Sequence, residues 1–277
     1  MNALDKPRII LVGVPNDENS SFLRGAAAAP SLIRQALYSD AYNLWSESGV
    51  NLGEENVLKD GGDIIVGSSD DSSETGRRAA LDEIEKMVSL LIADQQRVII
   101  LGGDHAITFP LVRAHRQFFE HLSILHFDAH PDLYDEFQGS RYSHACPFAR
   151  IMEEGLVERL VQVGIRTMTG HQRQQALKFG VEVIEMRTWQ DDLQLDFDTP
   201  LYISLDMDVL DPAYAPGISH WEPGGLSPRQ VINLIQSLQA PVVGADIVEY
   251  NPQRDPQKIT AVIAAKFVKE IAGKMIA

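Results

Sequence analysis

Six side chains able to hold cations stand in three short clusters, each directly behind an apolar run. The runs with their clusters are 98–105 (VIILGGDH), 124–132 (ILHFDAHPD) and 201–208 (LYISLDMD), and the side chains are His105, Asp128, His130, Asp132, Asp206 and Asp208. Asp128, His130 and Asp132 alternate, as do Asp206 and Asp208, and a strand-like pitch puts such residues on one side. Carboxylates cannot crowd together unpaired. A pair of divalent cations is their simplest neutralising partner, and paired cations activate water for hydrolysis. The set is rich in carboxylate, free of thiolate and carries two imidazoles, which favours manganese over zinc. Taken singly, each cluster has a structural explanation. Gly102 and Gly103 could mark a turn, His105 could cap a helix, and an Asp behind a strand commonly caps a loop. Three acidic clusters behind three strands have no such explanation. Asp104 and Asp211 read as turn or supporting residues.

Each apolar run reads as a buried parallel strand, and in open α/β sheets ligands gather beyond the carboxyl ends of such strands. Strand and helix signals alternate along the chain, which predicts a parallel sheet with helices on both faces. Strands are expected at 8–14, 97–101, 122–127, 159–164, 181–186, 201–205 and 241–248. Helices are expected from Pro30 to near Leu37 and at 78–93, 106–119, 145–154, 171–179, 228–238 and 256–275. Residues 44–70 read as irregular, 68–76 (SSDDSSETG) as an exposed acidic loop, and 131–143 and 209–226 as long loops. There is no linker-like break and no internal repeat, so one domain is expected.

The chain has 277 residues, 44% apolar and 23% charged, as in an ordinary soluble globular protein. Its net charge of −15, from 24 Lys plus Arg against 39 Asp plus Glu, argues against a nucleic-acid partner. The charge suits a cationic small substrate, and solubility accounts for it equally well. No apolar run approaches a membrane span, so no membrane partner is expected. The single cysteine, Cys146, rules out an internal disulfide framework and reads as a small core or helix residue. With no signal-peptide pattern at the N-terminus, cytoplasmic residence is the default.

The longer motifs resemble the ureohydrolase family of arginases, agmatinases and relatives. The resemblance rests on NSSFLRGAAAAPSLIR (19–34), LGGDHAIT (101–108), HFDAHPDLYDEFQGSRYSHACPFARIMEEG (126–155), VQVGIRT (161–167), SLDMDVLDPAYAPGISHWEPGGLS (204–227) and VVGADIVEYNPQRD (242–255). HPDLYD, RYSHA, GISHWEPGGLS and EYNPQRD are most similar to plant-type arginases and their bacterial relatives. The resemblance implies one ureohydrolase domain over residues 1–277, with a three-layer α/β/α sandwich around an eight-stranded parallel sheet. It also implies two manganese ions per subunit. His105, Asp128 and Asp132 would serve one ion and His130 and Asp208 the other, with Asp128 and Asp206 bridging. Family members are commonly trimers or hexamers, so a homo-oligomer is implied. One departure is Ala106, where the family usually has Ser.

Hydrolysis of a guanidino group needs an activated water, because the carbon is resonance-stabilised, and an acid for the departing amine. Asp132 is the candidate to hydrogen-bond that water. The resemblance makes His144, in YSHAC, a proton-shuttling histidine, and histidine suits the task through its ordinary pKa. It makes Glu249 the carboxylate that holds the guanidinium. Without the resemblance, His144 reads as a helix N-terminal residue and Glu249 as a strand-end acid. Asp246 is expected beneath the site, His220 with Trp221 on the pocket wall, and His115, His121 and His171 at the surface.

The product is urea, and the substrate favoured by the resemblance is L-arginine, cleaved to L-ornithine and urea. Agmatine, cleaved to putrescine, or another guanidino compound is the alternative. Animal and bacterial arginases read the amino-acid head of arginine with an Asn and an Asp at positions that hold Tyr134 and Thr169 here. Neither supplies the same hydrogen bonds. Arg141 is a candidate to meet an α-carboxylate instead. Two readings from other classes are a single-zinc amidohydrolase of the deacetylase type and a pseudoenzyme. The complete ligand set and the retained His144 argue against both.

Overall fold

A computed structural model describes residues 8–66, 73–94 and 96–276. Its eight strands are β1 (Ile9–Val14), β2 (Leu58–Asp63), β3 (Arg97–Gly102), β4 (Ser123–Phe127), β5 (Arg159–Ile165), β6 (Glu182–Glu185), β7 (Leu201–Asp206) and β8 (Val242–Val248). They form one sheet in the order β2-β1-β3-β8-β7-β4-β5-β6. Every neighbouring pair is parallel.

The inner strands are buried and mostly apolar because helices cover both faces. Ile9, Leu11, Ile99, Leu101, Ile203 and Ile247 face the layer of α1 (Ala29–Leu37), α6 (Pro228–Ser237) and α7 (Ile259–Ile276). Ile10, Val12, Val98, Ile100, Ile124 and Tyr202 face α2 (Glu74–Ala93), α3 (Thr108–Arg116), α4 (Pro147–Glu153) and α5 (Gly170–Phe179). The alternation of Ile9 and Leu11 against Ile10 and Val12 follows from the two-residue period of a strand. The three-layer α/β/α sandwich around an eight-stranded parallel sheet is therefore as expected.

Four central neighbours, β3, β8, β7 and β4, carry the candidate site residues at their carboxyl ends. The chain fills that centre in two passes. It lays β1 to β3 on one side and β4 to β6 on the other, and then returns with β7 and β8 between them. This arrangement puts His105, Glu249, Asp206 and Asp128, far apart in sequence, behind four adjacent strands.

Several expectations need correction. Strand β2 lies inside the stretch read as irregular. Its sequence, LKDGGD, has no apolar pattern, because it is an exposed edge strand that only pairs with β1. Arg34 clamps it, with Nε 3.0 Å from Asp60 and Nη1 2.6 Å from Asp63. Of the loop expected at 68–76, residues 68–72 lie outside the described residues. The rest is not loop, because Ser73 caps α2 by accepting from the Gly76 N–H at 3.3 Å. The helix expected at 106–119 is α3 preceded by a 3-10 turn, 105–107. His115 is not at the surface but fully buried. It lies four residues after Leu111, on the inner face of α3. His121 and His171 are exposed.

Candidate metal centre and active site

The backbone behind β3 is forced close to the chain that follows β1. A Cβ on Gly103 would come within 1.9 Å of the Asn16 carbonyl oxygen, so only glycine fits. Asp104 then caps the 3-10 turn. Its Oδ1 accepts from the Ala106 N–H at 3.1 Å and its Oδ2 from the Asn19 N–H at 2.7 Å. Burial first, and the charge of Glu249 second, push its carboxyl up to about 7. The turn aims His105 inward.

His105 is fully buried, and its tautomer can be read from its surroundings. Asp246 accepts from Thr108 Oγ1 at 3.0 Å, Tyr202 OH at 2.8 Å and Ser204 Oγ at 2.8 Å. The Ser204 hydroxyl directs its one hydrogen at Asp246, so it accepts from His105 Nε2 at 3.0 Å. The His105 proton therefore sits on Nε2, and the lone pair of Nδ1 faces the acidic cluster. That nitrogen has no hydrogen-bond partner, although oxygens of Asp128, Asp132 and Asp206 stand 3.2, 3.2 and 3.3 Å away. Asp246 thus lies beneath the site, as expected.

Asp128 joins two groups. Its Oδ2 faces His105, and its Oδ1 is 3.4 Å from His130 Nδ1. Asp208 completes the second group, with Oδ2 3.0 Å from His130 Nδ1. Asp208 Oδ1 accepts from the Ala129 N–H at 3.0 Å, and Asp206 Oδ1 accepts from the Asp208 N–H at 2.7 Å. The first of these bonds ties together the two turns that carry the candidate ligands, and the second closes the turn of Asp208 itself. Asp132 reaches the cluster through a left-handed backbone, φ 47°, and Glu249 does likewise at φ 62°. Such conformations cost energy for residues other than glycine and persist where the surroundings impose them.

The charge balance is uneven. Burial, then the charges of Asp208 and Asp128, hold the Asp206 carboxyl well above the usual range, and Asp208 is raised chiefly by burial too. Burial also works against the charged form of Asp128, but the imidazoles of His105, His126 and His130 around it outweigh burial and hold that carboxyl well below the usual range. His105 and His130 resist burial in turn and are raised by their carboxylates. So many buried acids around two imidazoles make a donor set that fits divalent cations. The described residues contain two groups with this geometry: His105, His126 and Asp128, and Asp128, His130 and Asp208.

A cavity of about 180 Å³ opens above this floor, lined in part by Asp132, Tyr134, His144, Thr169, His220 and Glu249. His144 Nδ1 donates to Glu249 Oε1 at 2.8 Å, and the same oxygen accepts from the His105 N–H at 3.0 Å. On the other side of the ring, Nε2 accepts from the Ser21 N–H at 3.1 Å and lies 2.7 Å from Ser21 Oγ. Burial lowers the His144 pKa, but the Glu249 carboxylate overcomes it and carries the ring up to about 9. The Ser21 N–H favours a neutral ring, so two influences oppose one another at this histidine. The Ser21 hydroxyl can donate to or accept from Nε2, and so suits either state.

At the mouth, Thr169 is already occupied. It caps α5, and Gln172 answers it in a reciprocal capping box, with Thr169 Oγ1 donating to Gln172 Oε1 at 3.1 Å. Tyr134 stacks on His171 with 5.7 Å between centroids. His220 does line the cavity, between His130 and His144 at 5.6 Å from each ring. Trp221 does not. It turns outward beneath Arg254, whose guanidinium carbon is 3.9 Å from the indole. Arg141 does not reach the cavity either, because Asp135 and Glu153 hold it at 2.8 Å each. Cys146 is fully buried, and burial pushes its thiol up to about 12, far from nucleophilic.

The sequence reading missed four participants. His126, buried on β4, donates from Nε2 to Asp128 Oδ2 at 2.9 Å. Gln162 on β5 fixes that tautomer by donating to His126 Nδ1 at 3.1 Å. Ser21 holds His144, and Arg166 braces the Asp208 turn, with Nη2 2.6 Å from the Asp208 carbonyl. A signal existed for His126 and Gln162, each a lone polar residue inside an apolar run, His126 two positions before Asp128.

The sequence profile of the arginase family matches residues 7–273. "Arginase, mitochondrial" of Medicago truncatula is 47% identical over 274 residues, covering 96% of this chain and 81% of that protein. An N(1)-aminopropylagmatine ureohydrolase of Thermus thermophilus is 38% identical over 262 residues, covering 90% of this chain and 84% of that one. Among solved structures, arginase from Medicago truncatula aligns with a TM-score of 0.91 at 45% identity, covering 99% of this chain and 90% of the other. The comparison corrects one expectation. Plant arginases similar to this chain are named mitochondrial or chloroplastic/mitochondrial, so the default expectation of cytoplasmic residence does not stand. Among the described residues no helix is long and apolar enough to cross a membrane.

Proposed function

The chain belongs to the arginase family, a family of binuclear metal-dependent hydrolases acting on guanidino C–N bonds, and we propose that it is itself an arginase: a manganese enzyme that hydrolyses L-arginine to L-ornithine and urea. The observation that carries the reading is Asp128, whose two oxygens face two different histidines, His105 and His130, on the cavity floor. Similarity to plant arginases at 47% identity supports arginine as the substrate.

His105, Asp128, Asp132 and Asp206 would hold one cation, and His130, Asp128, Asp206 and Asp208 the other. The unpartnered Nδ1 of His105, with its proton fixed on Nε2, fits a metal bond. Oxygen and imidazole donors without sulfur favour manganese over zinc. Bound there, the two ions supply a water of lowered pKa as nucleophile.

The protein's own groups do the rest. Glu249 uses Oε1 for His105 and His144, which leaves Oε2 for a guanidinium N–H of the substrate. A charge-assisted bond there orients the planar group over the floor. Asp132, at the cavity edge, accepts a hydrogen bond from the attacking water. His144 carries the proton to the departing amine, with the proton at Nε2 passed or received beside the Ser21 hydroxyl. The whole chain acts as one ureohydrolase domain, assembled as a homo-oligomer.

One observation favours a second reading, agmatine or another guanidino compound. The hydroxyl of Thr169 is used in its own helix cap, and Tyr134 is stacked on His171, so neither is placed as a reader of an α-amino acid head. Urea release by the manganese-loaded protein from L-arginine, agmatine, 4-guanidinobutyrate and guanidine, against a metal-free control, tests the proposal. Preference for arginine supports it. Preference for agmatine establishes the second reading, and no urea from any of them with manganese supplied removes both.

A further inference from the structure

The block VQVGIRT contributes no ligand, yet one of its side chains is tied to the ligand-bearing turns more closely than any other. Arginine has five N–H donors, and the contacts of Arg166 are five main-chain carbonyls. Nε donates to Glu222 at 2.7 Å, Nη1 to Gly164 at 3.2 Å and Val209 at 3.3 Å, and Nη2 to Asp208 at 2.6 Å and Leu210 at 3.2 Å. The three consecutive carbonyls, 208 to 210, form the turn that presents Asp208 to the cavity.

The backbone around Arg166 braces the neighbouring turn as well. The Ala129 carbonyl accepts from the N–H groups of Arg166 at 2.9 Å and Thr167 at 3.2 Å. Ala129 in turn donates its N–H to Asp208 Oδ1. Gly164, at φ 96°, lets β5 run this close. A Cβ there would meet Val209 Cγ2 at 2.5 Å and the Asp128 carbonyl oxygen at 2.9 Å.

We propose that Arg166 is a positioning residue for the reaction, which sets the distance between Asp208 and His130 and so builds the second cation position without touching the cation. The proposal rests on the two-cation reading above. It predicts an asymmetry that the first position does not share. His105 is braced from the opposite side, through Ser204 and Asp246, and among the described residues no hydrogen bond links that brace to Arg166. Loss of the guanidinium frees the 208–210 carbonyls and leaves the His105 side as it was. Lysine cannot replace it, because three donors on one nitrogen do not span five carbonyls.

Calorimetric titration of the metal-free native chain, Arg166→Lys and Arg166→Gln with manganese(II) tests this, with circular dichroism as the check on folding. The native chain should take up two ions. Both variants should bind one ion as tightly as the native chain and the second about 10- to 100-fold more weakly, with Arg166→Lys between the native chain and Arg166→Gln. Native affinity for both ions in a folded variant overturns the proposal. Equal weakening of both ions overturns it too, as does failure of both variants to fold, since those outcomes describe a general prop for the 209–226 loop. A native chain that binds fewer than two ions is a distinct failure, of the two-cation reading itself.

Discussion

His105 and His115 are ten residues apart, both fully buried, and each keeps one ring nitrogen without a hydrogen-bond partner. Their surroundings give them opposite chemistry. Around His105 stand Asp128, Asp132 and Asp206, and they raise its pKa against the effect of burial. Around His115 no acid plays that part. Nδ1 donates to the Leu111 carbonyl at 2.8 Å, the ring meets Tyr202 edge-on, and Nε2 lies against Gly244, where a Cβ would come within 2.1 Å. Burial takes its pKa down to about 4. An unpartnered buried nitrogen is therefore not by itself the mark of a ligand. What distinguishes His105 as a candidate ligand is the convergence of three carboxylates on its unpartnered nitrogen.

The largest effect should come from the first region. His105→Asn should lose a manganese ion and lower kcat by about a thousandfold or more, since metal ions contribute several kcal/mol to such reactions and each tenfold in rate is about 1.4 kcal/mol. His115→Leu should bind both ions and keep its kcat. Metal analysis beside steady-state kinetics checks the pair, and a His115→Leu protein that lost its metal would break the contrast.

The second effect belongs to His115 and is read in stability. In the fold its ring stays neutral down to about 4, whereas in the unfolded chain it protonates near 6.5. Between those values the unfolded chain binds more protons, so stability should fall as pH drops from 6.5 towards 4 and this contribution should level off below. The shift corresponds to a loss on the order of 3 kcal/mol. Urea unfolding of the native chain and His115→Leu at pH 7 and pH 4.5 should show a smaller pH-dependent loss in the variant. Equal losses would mean that His115 does not titrate in this way.

The smallest effect is predicted at the mouth. Thr169→Ala removes the cap of α5 and should cost about 1 kcal/mol of stability, with less than about a threefold change in KM for arginine (under 0.7 kcal/mol). A large rise in KM with unchanged stability would make Thr169 a reader of the substrate after all.

The same contrast explains what was legible in the sequence. Asp128, Asp206 and their neighbours could be read because each cluster follows a strand with an unmistakable apolar run and alternates at strand pitch. The inner sheet was legible for the same reason. Strand β2 was not, because LKDGGD forms a strand only through pairing with β1 and the grip of Arg34, a partner 26 residues away from Asp60. His115 was misread because Arg113 and Arg116 flank it and suggest water, while its spacing from Leu111 places it inside. Ser21, Gln162 and Arg166 act through hydrogen bonds to residues distant in sequence, and residue type alone does not report such partners. Arg141 illustrates the converse. Its charge suited a substrate carboxylate, but Asp135 and Glu153 had already claimed it.

The most direct test of the two-cation floor is the manganese content and electron paramagnetic resonance spectrum of the native chain beside Asp128→Asn. The native chain should hold two manganese ions per chain with an exchange-coupled signal. Asp128→Asn should lose the coupling, at least one ion and most of its activity. A variant that keeps two coupled ions and the full rate of urea release would contradict the role given to Asp128, and with it the site built around it.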